Sequence, residues 1–254
     1  VCPFAFSAEP LLRRLEWQLG DNADWVTRMV GLVDHTDDAA ARGLSPQRLT
    51  AAYASLAASH AMPFSDAPVT RLFASTPACR AIVATRRHAP AHEARLIRAL
   101  RVQHCQGNLG DERAAVAAAA ARGGLVGDRL ESCMAEPQTA DALAEDMRLA
   151  RDPGPAARAQ DARLADWSAG RRYTCPSLEF RHLDGHALSA PGFQPWESYD
   201  LVVANLAPTL ARRPAPTHAS EVIAWAPFPL ATIEVATIRD ADPATVLVEL
   251  AACA

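Results

Sequence analysis

A long block of helical periodicity in the middle of the chain most limits what this chain can fold into. Across residues 45–151 apolar residues recur at helical spacing between breaks that contain proline or glycine, which predicts four or five helices. Short β-like runs lie on either side of the block, at residues 25–32, 173–180 and 186–190. This order predicts an α/β layer that carries a large helical insertion.

Short sequence motifs predict where several helices begin or bend. Residues 3–19 predict an amphipathic helix with a kink at Pro10. Ser45 and Thr76 each precede a proline, which predicts two N-caps followed by proline in the first helical turn. Asp111 and Glu112 are predicted to open an Ala-rich helix, where acidic side chains suit the positive end of the helix dipole.

After the helical block, the sequence predicts a hairpin and several short helices in place of long helices. A turn at residues 183–185 predicts that the two β-like runs around it pair as antiparallel strands. A further helix is expected over residues 194–206, and the Pro-rich residues 208–216 are interpreted as a linker. Three short helices, at residues 220–225, 230–238 and 243–252, then predict a small helical appendage.

Composition narrows the class of protein. The chain has 254 residues, half of them apolar, so it can bury a large core. A net charge of -4 provides no basic field, and we expect neither a nucleic-acid partner nor a membrane partner. No apolar run approaches the roughly 20 residues of a spanning helix. Without a visible secretion signal, the expected location is the cytoplasm. The oligomeric state is left open.

The cysteines and histidines form no familiar metal pattern. Six cysteines lie at positions 2, 79, 105, 133, 175 and 253, without a CxxC pair and without Cys/His spacing typical of zinc. We therefore predict no metal site, and most thiols are expected to be small buried hydrophobes. His104 and Cys105 are adjacent within a helical pattern, where their side chains point apart, so a catalytic pair is not predicted there.

Two cysteines lie beside proline. Cys2 directly precedes the first predicted helix, whose unpaired N–H groups favour a thiolate, although a packing thiol or a disordered terminal residue fits the position equally well. Cys175 precedes Pro176 at the start of a β-like run, where an ordinary trans proline is the local expectation.

Taken together, these motifs resemble the DsbA-like branch of the thioredoxin superfamily. Its members include cytoplasmic oxidoreductases and relatives with isomerase, glutathione-transferase and adaptor roles. The resemblance covers about residues 2–206. It is carried, in order, by Cys2-Pro3-Phe4-Ala5-Phe6, Glu9-Pro10, Met29-Val30-Gly31-Leu32, the helical insertion, the run 173–180 that contains Cys175-Pro176, and Gly192-Phe193-Gln194-Pro195-Trp196.

The resemblance implies a domain organisation. Residues 1–40 and 170–207 would form the thioredoxin-like domain, residues 41–169 the helical insertion, and residues 208–254 a C-terminal helical extension. In this family a strand precedes the nucleophile, whereas this chain starts one residue before Cys2, so a leading strand is expected to be missing from the given sequence.

The resemblance also implies a site. Cys2 matches the nucleophile and Pro176 the cis-proline that faces it, while Ala5 replaces the usual second cysteine. Cys175 would lie close to Cys2 and resolve its mixed disulfide, or a small thiol would do so instead. The residues expected to contact substrate are Pro3, Phe4, Ala5, Thr174 and Pro176.

Three functions follow from this resemblance. The leading one is a thiol-disulfide oxidoreductase with a single nucleophilic cysteine, acting on a protein or small-molecule disulfide or thiol. The second is a glutathione-type transferase or isomerase of the same fold, which needs no second cysteine. The third is a non-catalytic protein-binding adaptor. No bound cofactor is expected, but glutathione or another low-molecular-weight thiol would serve as a co-substrate.

Overall fold

The computed structural model describes residues 2–41, 43–107, 113–124 and 127–252. The described helices, in chain order, are α1 Pro3–Ser7, α2 Glu9–Leu19, α3 Thr36–Ala41, α4 Pro46–His60, α5 Thr76–His88, α6 Glu93–Cys105, α7 Arg113–Arg122, α8 Gly127–Ala135, α9 Pro137–Ala150, α10 Pro155–Arg158, α11 Trp196–Leu206, α12 Ala219–Trp225, α13 Thr232–Arg239 and α14 Pro243–Ala252. The described strands are β1 Ala165–Trp167, β2 Gly170–Arg172, β3 Leu178–Arg181 and β4 Ala187–Ala190.

The chain divides into two compact units. The first contains the residues up to Phe6 together with Arg28–Ala150, and the second contains Ser7–Thr27 together with Arg151–Ala254. Within the described residues, no helix is long and apolar enough to cross a membrane.

The predicted single helix over residues 3–19 is two helices. α1 ends at Ser7 and α2 begins at Glu9, so the break precedes the predicted kink at Pro10. Proline has no N–H to donate to the carbonyl four residues earlier, which belongs to Phe6. The hydrogen-bond ladder is therefore interrupted on the N-terminal side of Pro10.

The prediction of a strand at residues 25–32 is wrong. The amide of Met29 donates to the carboxylate of Asp146 at 3.1 Å, and the amide of Val33 donates to the Ser75 hydroxyl at 3.0 Å. Gly31 between them has a φ of 55°. These amides bind side chains, and no strand of the described residues pairs with this segment.

The helical block contains six described helices, α4 to α9, rather than four or five.

The predicted N-cap at Ser45 is confirmed, since its side chain accepts the Arg48 N–H at 3.2 Å. The prediction that Thr76 is an N-cap is wrong, because Thr76 is the first residue of α5 and Ser75 holds the N-cap position. The Ser75 hydroxyl does not cap the helix, and it accepts the Val33 N–H instead. Asp111 and Glu112 lie outside the described residues. The core of the block contains Ile82, Val83, Leu96, Leu100, Val116, Leu130 and Leu143, and Met29 from before the block packs into it.

Two antiparallel hairpins lie in the second unit. The predicted turn at residues 183–185 is confirmed: it joins β3 to β4, the His182 N–H donates to the His186 carbonyl at 2.8 Å, and Leu178 lies opposite Ala190. The strand predicted over 173–180 is shorter, because β3 begins only at Leu178. The β1–β2 hairpin was not predicted.

The three predicted C-terminal helices are confirmed as α12, α13 and α14. They share a buried core with Trp17 of α2, whose indole N–H donates to the Pro214 carbonyl at 2.7 Å. The Arg213 N–H also donates to the Gln18 carbonyl at 2.9 Å. The Pro-rich stretch interpreted as a linker is therefore packed against α2.

Candidate functional site

Cys2 lies at the start of α1, where its carbonyl accepts the Phe6 N–H at 3.0 Å. Cys2 and Pro3 are half-buried. The side chain of Phe4 is 47% exposed, whereas Ala5 is buried. A ligand approaching Cys2 can thus meet the exposed ring of Phe4 beside it, whereas the methyl group of Ala5 is buried.

An aromatic cluster lies behind α1 within the first unit. The rings of Phe6 and Phe64 meet edge to face at 5.4 Å, and Phe64 also lies 5.4 Å from the ring of Tyr53. Phe73 packs edge-on against His104 at 4.1 Å. We call these five residues the aromatic cluster.

Tyr53 and His104 are the polar members of the aromatic cluster. Tyr53 on α4 is 5% exposed and His104 on α6 is 1% exposed. The Tyr53 Oη and the His104 Nε2 are 2.7 Å apart, which is a hydrogen bond. Their side chains thus form one buried polar pair between two helices of the insertion.

Burial keeps both groups of this pair neutral at neutral pH. Desolvation lowers the pKa of His104 to about 3, so the imidazole carries no charge. Desolvation, together with the nearby thiols of Cys105 and Cys2, raises the pKa of Tyr53 far above its usual value.

This pair was not predicted from the sequence. Tyr53 and His104 are 51 positions apart, so no local motif links them, and Cys105 is the chemical neighbour that the sequence sets beside His104. One available signal is the register of α6: Leu96, Leu100 and His104 recur every four residues, which places the imidazole on the buried face of that helix.

The other predicted site residues lie in the second unit. Thr174, Cys175 and Pro176 are half-buried in the segment between β2 and β3, and the Cys175–Pro176 peptide bond is cis. The Thr174 hydroxyl donates to the Arg163 carbonyl. Ser177 donates to the Thr174 carbonyl and accepts the Gly192 N–H at 2.9 Å, so hydrogen bonds on both sides hold this segment.

Tyr173 lies directly before this segment. Its hydroxyl donates to the Glu179 carboxylate and accepts the Gly154 N–H at 3.1 Å. Desolvation, followed by the hydrogen bond to Glu179, raises the pKa of Tyr173 to about 12. The phenol therefore keeps its proton at physiological pH and acts as a structural hydrogen-bond donor.

None of the five described cysteines forms a disulfide bond. Cys79, Cys105 and Cys133 are buried, as expected for most of the thiols, while Cys2 and Cys175 are partly accessible. Cys253 lies outside the described residues. Cys2 belongs to the first unit and Cys175 to the second, and their pairing stays a prediction.

Three neighbouring residues in the first unit carry side chains of the types that bind metal ions. The donor atoms of His88, Cys133 and Glu136 lie within 4.8 Å of one another. His88 already hydrogen-bonds the Glu136 carboxylate at 2.8 Å, and Arg87 pairs with the same oxygen at 3.5 Å. These contacts already engage His88 and the Glu136 carboxylate at the end of α5.

Comparison with known proteins addresses the fold. No protein-family model matches the chain. No curated protein matches it either. Among solved structures, a protein from Nitrosomonas europaea, provisionally assigned as a protein disulfide isomerase, superposes with a TM-score of 0.56 at 12% identity, over 81% of this chain and 92% of that one. The chain therefore shares the fold of that structure, a thioredoxin-like fold with a helical insertion.

Proposed function

We propose that this protein is a thiol-disulfide oxidoreductase that uses Cys2 as its single nucleophile. The observation that carries the proposal is the partly accessible Cys2 thiol at the start of α1, with buried Ala5 where a second cysteine would lie. The structural neighbour, a provisionally assigned disulfide isomerase, supports oxidoreductase chemistry at the level of the fold.

The first step is thiol-disulfide exchange. The Cys2 thiolate attacks one sulfur of a substrate disulfide, a Cys2–sulfur bond forms, and the other substrate sulfur leaves as a thiolate that takes up a proton from water. No net oxidation occurs in this step, because one disulfide replaces another. The product is a mixed disulfide between Cys2 and half of the substrate.

The second step releases the substrate and needs a further thiol. Ala5 cannot supply it, so a small thiol such as glutathione attacks the Cys2 side of the mixed disulfide and leaves Cys2 glutathionylated. A second glutathione then regenerates the Cys2 thiol and departs as oxidised glutathione. In the alternative route Cys175 attacks Cys2, the substrate thiol departs, and a Cys2–Cys175 disulfide remains for an external reductant.

Substrate contacts are proposed for five residues. Pro3, Phe4 and Ala5 adjoin the nucleophile, and the exposed ring of Phe4 suits an apolar side chain of a protein substrate. Thr174 and Pro176 are proposed to offer backbone groups to the substrate. The proposed partners are protein or small-molecule disulfides and thiols in the cytoplasm, without a bound cofactor.

Treatment of the reduced protein with oxidised glutathione tests the proposal. We expect one glutathione adduct on the peptide that contains Cys2, detected by mass spectrometry, and its loss in Cys2→Ser. Cys79→Ser, which removes a buried thiol, is the matched control and should leave the adduct unchanged. A Cys2–Cys175 disulfide in place of the adduct would select the Cys175 route, and the absence of both products would refute the proposal.

A glutathione transferase or isomerase is the second candidate, and Ala5 favours it because that chemistry needs no second cysteine in the protein. In this case the thiolate of bound glutathione attacks an electrophilic carbon and the leaving group departs with its electron pair. Transfer of glutathione to 1-chloro-2,4-dinitrobenzene by the Cys2→Ser variant at the wild-type rate would support this candidate over the first.

A further inference from the structure

His88, Cys133 and Glu136, which we call the His–Cys–Glu group, have no part in the chemistry proposed for Cys2. Their three donor atoms lie within 4.8 Å of one another. The hydrogen bond of 2.8 Å between His88 and Glu136 brings those two side chains together. That bond does not involve the Cys133 sulfur, which is the third donor of the group.

The turn between α8 and α9 holds two of the donors in place. The Cys133 carbonyl accepts the Thr139 hydroxyl at 2.8 Å and the Glu136 N–H at 3.4 Å. The Glu136 carbonyl in turn accepts the Thr139 N–H at 3.1 Å. Thr139 is fully buried, so its bonds are shielded from water. The backbone that carries Cys133 and Glu136 is therefore ordered, which lowers the entropic cost of binding a ligand there.

The third donor lies at the end of a long helix. His88 is the last residue of α5, which has 13 residues. The C-terminal end of a helix carries partial negative charge from carbonyls without intrahelical partners, and this charge favours a cation. The side chains of His88 and Glu136 are 31% and 34% exposed, whereas Cys133 is buried. Solvent therefore reaches the group on the side of the two donors that can rotate.

The types of donor and their spacing fit Zn²⁺ better than they fit Mg²⁺ or Ca²⁺. Thiolate, imidazole and carboxylate all bind Zn²⁺, whereas the two harder cations prefer oxygen ligands alone. Zinc–ligand bonds of about 2.0–2.3 Å place the donors of a tetrahedral site roughly 3.3–3.6 Å apart. The donors of the group therefore need to shift by about 1 Å, which rotation of the His88 and Glu136 side chains can provide.

We propose that His88, Cys133 and Glu136 bind a Zn²⁺ ion, with water in the fourth tetrahedral position. The ion replaces the proton of the Cys133 thiol, which passes to solvent, and it takes the place of the hydrogen bond between His88 and Glu136. It thereby links the end of α5 to the turn between α8 and α9, and it takes no part in thiol exchange at Cys2. Sequence spacing predicts no metal site because the donors come from separate helices.

Arg87 competes with the ion in this arrangement. Its guanidinium lies 3.5 Å from the Glu136 carboxylate, and a cation held there repels a second one. Arg87→Gln is therefore expected to strengthen Zn²⁺ binding, whereas the loss of a ligand weakens it. If the group served only in packing or in ion pairing, these two kinds of variant would not change Zn²⁺ affinity in opposite directions.

Titration of the reduced, metal-free full chain with Co²⁺, a spectroscopic substitute for Zn²⁺, tests the proposal. A cobalt–thiolate absorption band should appear in the wild type, disappear on addition of Zn²⁺, and be lost in Cys133→Ser. Cys79→Ser removes another buried thiol of the same core and should keep the band. A band that persists in Cys133→Ser would place the metal on another cysteine and overturn the proposal, as would the absence of a band in the wild type.

His88→Gln guards against a variant that fails to fold, because the His88 side chain lies at the surface. It should lose the Zn²⁺ binding that isothermal titration calorimetry measures in the wild type, while His35→Gln, at another exposed histidine of the first unit, should keep it. Zn²⁺ should also raise the unfolding temperature of the wild type but not that of His88→Gln. Equal Zn²⁺ affinity in the wild type, His88→Gln and Arg87→Gln would overturn the proposal.

Discussion

At the scale of single residues, the burial of His104 makes the stability of the folded protein depend on pH. Its pKa is about 3 in the folded protein and near 6.5 in an unfolded chain. Below about pH 6.5 the unfolded state therefore binds a proton that the folded state does not, and stability falls as the pH falls from 6.5 towards 3. We expect the contribution of His104 to lower the free energy of unfolding by about 1 kcal/mol between about pH 7 and 5.5.

Urea unfolding at the two pH values measures this loss. His104→Leu should reduce the pH-dependent loss, whatever its effect on absolute stability. An equal loss in the wild type and in His104→Leu would contradict the burial of a neutral imidazole.

At the scale of elements, Gly31 explains why its segment is not a strand. A Cβ atom at Gly31 would lie 2.7 Å from the Met147 sulfur, and the φ of 55° is itself unfavourable for other residues. We expect Gly31→Ala to destabilise the protein by roughly 2–3 kcal/mol.

Gly20→Ala is the matched control for this prediction. Gly20 has a similar φ of 51°, with a ψ of -133°, but a Cβ atom added there would meet no atom within 4 Å, so only a backbone cost is expected. Equal losses for the two variants in urea unfolding would show that contact with Met147 has no energetic consequence.

Helices were more predictable than strands for a physical reason. The three C-terminal helices and α11 form from contacts between residues three or four positions apart, which the sequence displays directly. A strand needs a partner elsewhere in the chain. Residues 25–32 have β-forming composition, but the Met29 amide binds Asp146, and the amide of Val33, directly after the segment, binds Ser75. β1 and β2 are three residues each and leave too short a pattern to recognise.

At the scale of the whole molecule, Trp17 joins the C-terminal helices to α2. It is 2% exposed, and its ring contacts Trp225 edge to face at 5.4 Å and the Arg213 guanidinium at 3.6 Å. Trp17→Ala should cost about 3–5 kcal/mol, with faster amide hydrogen exchange in α12, α13 and α14. Trp25→Ala, at a tryptophan that is 43% exposed, should cost much less. Unchanged exchange in Trp17→Ala would mean that the tail folds independently of α2.

The fold class could be predicted from the sequence because several motifs occur in the expected order between residues 2 and 206. Cys2 and Cys175 were predicted to be site residues in this way, from their neighbouring prolines. The pairing of Tyr53 with His104 could not be predicted in this way, because the two residues are 51 positions apart and meet only in the folded chain. A site assembled by tertiary packing has no spacing in the sequence to reveal it.

The central claim is that the Cys2 sulfur is ionised and reactive at neutral pH. Titration of its alkylation rate in the wild-type protein tests this most directly, with the modified peptide identified by mass spectrometry. We predict an apparent pKa clearly below the roughly 8.5 of an unperturbed cysteine. A value at or above 8.5 would contradict the claim.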